Sequence, residues 1–172
     1  MSTFPTLSRM WMRRGAQRRI KAPGVSPVKR HEFAAANWRT GDIVRIRSEK
    51  RNAAAFCRLA DKCVARSAQR KRRTIMVVDN ARFHRPEKSK LVADLLQRHG
   101  AHLTLRYLPG YSPECMPIET LWNDWRKKVT HNHDRSQIEH LEDDSDRYFK
   151  RRGRNRKGVL KTLGSPFQKR YH

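Results

Sequence analysis

The order of apolar patterns along this chain predicts an α/β layer structure with a mixed sheet flanked by helices. Three observations carry that reading. Two strand-like runs, "VKRHEFAAANW" and "DIVRIRSE", are joined by "RTGD", and the Thr-Gly pair marks an antiparallel hairpin turn. Helical and strand-like segments then alternate from residue 53 to residue 129. An antiparallel pair followed by strand–helix alternation argues for a layered α/β structure with a mixed sheet.

Each element follows from local pattern. Phe56, Leu59, Ala60, Cys63 and Val64 recur at helical spacing over 53–67, with Asn52 placed to cap the helix. Basic "RSAQRKRR" closes this helix and leads to a short apolar strand, Thr74–Val78. In "RPEKSKLVADLLQRHG", Pro86 suits a first helical position and Gly100 a stop, with Leu91, Val92, Leu95 and Leu96 as the buried stripe. "AHLTLRYLP" is the next strand, ended by Pro109, and the loop "GYSPECM" follows. A further helix starts at Pro117 and aligns Ile118, Leu121, Trp122, Trp125 and Val129 on one face, so both tryptophans are expected in the core. "EHLEDDSD" opens another helix. These patterns divide the chain into a basic arm over 1–31, where Pro23, Gly24 and Pro27 interrupt regular structure, a core over 32–132, and a basic C-terminal helix and tail over 133–172.

Composition narrows the partners. Lysine and arginine number 40 against 16 acids, a formal charge of +24 in 172 residues. Residues 1–31 hold eight Lys/Arg and no acid, and 147–172 hold ten and no acid. Charge of this size repels itself unless a polyanion is near, and nucleic acid is the leading candidate. No run of apolar residues is long enough for a membrane-spanning helix, and no signal-peptide core follows the basic N-terminus. Cys57 and Cys63 fall on one helix about 9 Å apart along its axis, too far to bridge. With Cys115 they make an odd set with no CxxC pair. A reducing compartment, without disulfide or zinc, follows.

The strand Thr74–Val78 ends on Asp79 in "TIMVVDNARFH". A charge at the end of a core strand needs a partner: an arginine, a helix N-terminus or a metal ion. Glu119 stands 40 positions later (119 − 79), in the first turn of the helix after Pro117. One helix, one strand and one loop lie between, which returns the chain to the same sheet edge. Carboxylates converging there repel unless a divalent cation separates them, and magnesium takes such oxygens. Two structural readings stand beside this one. Asp79 can cap the turn through the amides of Ala81 or Arg82, and a first-turn glutamate is favoured by the helix dipole. Glu114, five residues earlier, is the alternative ligand to Glu119. Arg82 and Arg85 beside Asp79, with Lys127 and Lys128, are candidates for phosphate contact. His84 reads as a turn residue, and Ser112 lacks the base and glycine elbow of a nucleophile.

"VVDNARFH" and "YLPGYSPECMPIETLW" together resemble the endonuclease domain of mariner-related DDE transposases, and most of all the bacterial insertion-sequence 630 family. Asp79, Asn80 and His84 match one motif of that family. Ser112, Pro113, Glu114, Pro117, Ile118, Glu119, Leu121 and Trp122 match the other. "MWMRRG" and "NWRTGDIVRIRSE" extend the resemblance over residues 4–150. Cys115, Met116 and Gly110 depart from it mildly.

The resemblance implies a ribonuclease-H-like mixed sheet, with Asp79 and Glu119 as catalytic metal ligands for magnesium or manganese. Two divalent ions would sit in the intact family site. It also implies DNA as partner (transposon ends and target), a bacterial cytoplasmic, nucleoid-associated location, and a homodimer as one assembly open to it. The family's first acid has no counterpart: no acid precedes Glu32, and "MSTF" resembles the residues just after that Asp. The expectation is therefore a transposase fragment without its first central strand and its helix-turn-helix region. Such a fragment would be weak or inactive in DNA cleavage and strand transfer. The alternatives are a non-enzymatic DNA-binding remnant of a transposase and a basic RNA binder.

Overall fold

A computed structural model describes residues 1–16, 19–21, 26–110 and 115–167. The strands are β1 (His31–Ala36), β2 (Ile43–Ser48), β3 (Thr74–Val78) and β4 (Leu103–Tyr107). The helices are α1 (Ala53–Ala68), α2 (Lys90–His99), α3 (Ile118–Trp125), α4 (Ile138–Arg154) and α5 (Arg156–Thr162). The mixed α/β character is as expected, but the sheet is not continuous. Among the described residues, β1 and β2 form one antiparallel pair and β3 and β4 a separate parallel pair.

Helix α1 ties the two pairs together. Asn52 accepts a hydrogen bond from the Ala55 amide at 3.1 Å, satisfying one of the free donors at the helix start. The apolar stripe of α1 then packs against Phe33, Ala35, Val44 and Ile46 of the hairpin and against Met76, Val78 and Leu103 of the parallel pair. One apolar layer thus underlies both pairs, with α2 closing it through fully buried Val92 and Leu95.

Two details differ from the sequence reading. Pro86 begins only a short 3₁₀ turn, Pro86–Lys88, and α2 starts at Lys90. The extra turn rotates Leu91 outward, to 51% exposure. Nor is β3 buried on both faces. Thr74, Met76 and Val78 point into the core, while Ile75 and Val77 are exposed, 68% and 53%, since no element among the described residues covers that face.

A second apolar cluster joins α3, α4 and α5. Leu121, Trp125, Val129, Leu141, Tyr148, Phe149 and Val159 form its buried centre, and a π-type turn over Arg126–Thr130 extends α3. Both tryptophans pack here, Trp125 buried and Trp122 partly so. The basic segment from 147 to Leu163 packs on this cluster, since Tyr148, Phe149, Val159, Leu160 and Leu163 are buried. At the hairpin turn Gly41 has φ +72°, and an added Cβ would lie 2.5 Å from the Arg156 carbonyl oxygen. Only glycine fits where α5 meets this turn.

Charge holds α4 to the hairpin. The Glu32 side chain is 1% exposed and accepts from Arg47 at 2.9 Å, Arg45 at 3.2 Å and the Ser145 hydroxyl at 3.0 Å. Asp146 pairs with both arginines, and Glu142 with Arg30 and Arg47. The Trp125 indole donates to Ser145 at 3.1 Å, joining this network to the second cluster.

The N-terminal arm is anchored at two places. Thr3 donates its amide to Val28 and Arg30 donates to Met1, a short antiparallel ladder. Further on, Asn132, at φ 50°, accepts from the Ser8 amide and donates to the Ser8 carbonyl, as a backbone neighbour would.

Candidate active site at the end of β3

Asp79 leaves β3 at its C-terminal end, the end where α/β sheets bind ligands. It is not a buried charge: its side chain is half exposed. Its partner is local. His84 Nδ1 lies 2.7 Å from Asp79 Oδ1, and the Ala81 amide donates to the same oxygen at 3.1 Å. The turn-capping reading is therefore realised, and it occupies one carboxylate oxygen. Among the described residues, no side chain or amide bonds to Oδ2.

The residues after Asp79 brace this turn. Asn80 donates to the Leu108 carbonyl at 2.6 Å, fastening the exit of β4 beside β3. Its carbonyl oxygen accepts from Arg85, whose guanidinium lies over the Tyr107 ring at 5.1 Å. The Tyr107 hydroxyl donates to the His84 carbonyl at 2.9 Å. His84 itself packs against Phe56 and Phe83, with ring centroids 4.3 and 4.4 Å away. Burial there holds its pKa below the ordinary imidazole value, although the Asp79 carboxylate pulls the other way. The neutral ring then donates Nδ1–H to Asp79.

Glu119 occupies the first turn of α3, half exposed, with its carboxylate 3.7 Å from the Arg126 guanidinium. Asp79 thus belongs to a strand of the first cluster and Glu119 to a helix of the second. Among the described residues, no hydrogen bond or ion pair joins them directly or through a shared side chain. Glu114 and Ser112 lie outside the described residues. Arg82 is exposed, whereas Arg85 is held inward by Asn80. Lys128 pairs with Asp124 at 2.6 Å, and Lys127 is exposed.

The two acids that follow the N-terminal arm serve elsewhere. Glu32 is enclosed by arginines on the α4 side of the hairpin. Asp42 pairs with Arg70 at 2.8 Å and Arg156 at 2.9 Å. Sequence reading missed the Glu32 network. A signal for it was present in the alternating arginines of "DIVRIRSE", which place Arg45 and Arg47 on one strand face, and in the acidic start of α4.

The donor chemistry at Asp79 and Glu119, ionised oxygen on half-exposed side chains, suits a hard divalent cation. Among the described residues, however, no three His, Cys, Asp or Glu side chains group so as to hold a metal.

Comparison with known proteins gives the family. Residues 2–142 match the model of the DDE superfamily endonucleases. The chain is 28% identical over 130 residues to the Shigella sonnei protein named "Insertion element IS630 uncharacterized 39 kDa protein". That match covers 75% of this chain and 36% of the relative, so the chain spans little more than a third of the relative's length. No solved structure matches it. With the family model spanning most of its length, the chain belongs to the DDE superfamily endonucleases.

Proposed function

We propose that this chain is the endonuclease portion of a transposase that acts on DNA phosphodiesters, with Asp79 and Glu119 as its metal-binding carboxylates. The observation that carries this reading is the position of Asp79. It sits at the open end of β3, half exposed, with one oxygen fixed by His84 and Ala81. Fixing one oxygen orients the other outward at no further cost in side-chain entropy. A divalent ion bound there supplies Lewis-acid stabilisation of the charge that develops on phosphate oxygens. The chain's own contribution is positional. Asn80 and Arg85 lock the turn, His84 stays neutral and holds the carboxylate, and exposed Arg82 offers a phosphate contact beside it.

We further infer that the two strand pairs belong to one ribonuclease-H-like sheet. Their shared cover by α1 supports this. Among the described residues the outer edges of both pairs carry no ladder, which leaves room for a further strand. The setting is the bacterial cytoplasm, with transposon ends and target DNA as the partners.

The lack of any three-ligand group among the described residues favours a second reading, a DNA-binding chain without catalysis. A nicking assay on supercoiled plasmid separates the two. Magnesium- or manganese-dependent nicking that disappears in Asp79→Ala and Glu119→Ala supports the endonuclease. Salt-sensitive DNA binding without nicking, unchanged by both substitutions, supports the second reading.

A further inference from the structure

We propose that the basic end of α4, together with α5, is a docking surface for the phosphate backbone of duplex DNA, separate from the carboxylates at Asp79 and Glu119. Helix α4 is divided by charge. Of the acids in its first half, Glu142 pairs with Arg30 and Arg47, Asp144 with Arg135 and Arg147, and Asp146 with Arg45 and Arg47, while Glu139 and Asp143 are exposed. No acid follows Asp146 in the sequence.

Cations beyond that point fall into two groups. Arg152 pairs with Asp124 and Arg156 with Asp42. Lys150, Arg151, Arg154, Lys157 and Lys161 are exposed, and none lies within ion-pair distance of a carboxylate among the described residues. Lys150 and Arg154 are four positions apart on α4, as are Lys157 and Lys161 on α5, so each pair shares a helix face. Glu142 and Asp146 face the hairpin arginines, and no acid among the described residues compensates this ridge. Such a concentration of like charge is costly to the free protein and is relieved by releasing counterions from a polyanion.

The ridge does not suit a lipid surface. Interfacial helices need an apolar face toward the membrane. Here Tyr148, Phe149, Val159 and Leu160 are turned into the core, and no large hydrophobic residue beyond Leu91 is exposed among the described residues. The choice of duplex DNA over RNA rests on the endonuclease reading above.

The test uses the full chain with Lys150, Arg151, Arg154 and Lys157 changed together to Gln. Binding to a random-sequence DNA duplex, an RNA duplex and anionic vesicles is titrated over a salt series. For DNA, the log–log salt slope should become shallower by about 3 to 4, close to 0.9 per lost phosphate contact. The charge-preserving variant, with Lys150 and Lys157 changed to Arg and Arg151 and Arg154 changed to Lys, should keep the parental slope. Thermal melts confirm that both variants fold; if the Gln variant does not, single Lys150→Gln and Lys157→Gln variants should each lose about one unit of slope. An unchanged DNA slope in folded variants overturns the proposal, as does a loss confined to RNA or to vesicles. If the slope falls as stated while no chain nicks DNA with metal, the ridge stands and the endonuclease reading alone fails.

Discussion

His84 and Asp79 face one another at 2.7 Å across a single turn, five residues apart, at the open end of β3. The pair couples a carboxylate in solvent to an imidazole packed on Phe56 and Phe83. The motif residues are thus braced before any ligand arrives, and several measurable consequences follow from this and the other charged contacts.

His84 should titrate below the ordinary imidazole range, because burial penalises its charged form. The sign for stability follows from linkage. The unfolded chain takes up this proton near the ordinary value of 6.5 and the folded chain only at lower pH. The contribution is complete above about pH 6.5 and is lost as pH falls below it; His31 and His133, lowered chiefly by burial, act in the same direction. Asp79→Asn should lower the His84 pKa further, since it removes the negative charge that opposes burial. NMR titration of the imidazole reads this directly, and an unchanged or raised value would contradict the pairing.

Removing Glu32 should cost about 3 kcal/mol, in the range for breaking a buried ion pair. Glu32→Gln keeps the shape but leaves Arg45 and Arg47 dependent on Asp146 and Glu142 at the more exposed rim. Urea unfolding of the variant measures the loss. A change under about 0.5 kcal/mol, the range of ordinary surface substitutions, would mean that α4 is not held by this network.

Leu141→Ala should cost about 3 kcal/mol, within the usual range for emptying a buried leucine site. Leu141 is fully buried on α4, within the apolar cluster that α3, α4 and α5 share, so its removal leaves a cavity there. Thermal melting with a calorimetric enthalpy tests this. Loss of one transition and retention of a second would show the two apolar clusters unfolding independently.

Asn80→Ala should destabilise the exit of β4 by about 1 to 3 kcal/mol, because it leaves the Leu108 carbonyl and the Arg85 guanidinium without their partner. Hydrogen exchange at the Leu108 amide, which donates to Val78, should quicken with it. Unchanged protection there would place the bracing elsewhere.

Alkylation at pH 8 should modify Cys115 first. It is exposed, whereas burial pushes the Cys63 thiol up to about 11 and also raises Cys57. Mass spectrometry after timed iodoacetamide treatment should find one fast site, and two more only after unfolding. Rapid labelling of Cys63 in the folded chain would show that α1 does not pack as described.

What the sequence determined by itself was local. The 3.6-residue pattern of Phe56, Leu59, Ala60, Cys63 and Val64 specifies α1, and Asn52 specifies its start, because both depend on neighbours a turn away. The motif around Asp79 was legible for the same reason: its bonds to His84 and Ala81 span five residues or fewer. Tertiary structure decided the rest. Whether Ile75 and Val77 are covered depends on what lies beside β3, and the division of the strands into two pairs depends on partners far away in the chain. Glu32 meets Ser145 across 113 positions, and no local pattern encodes an encounter of that span. Only folding brought Glu142 and Asp146 of α4 to the arginines of the hairpin and left the cations at its other end facing water.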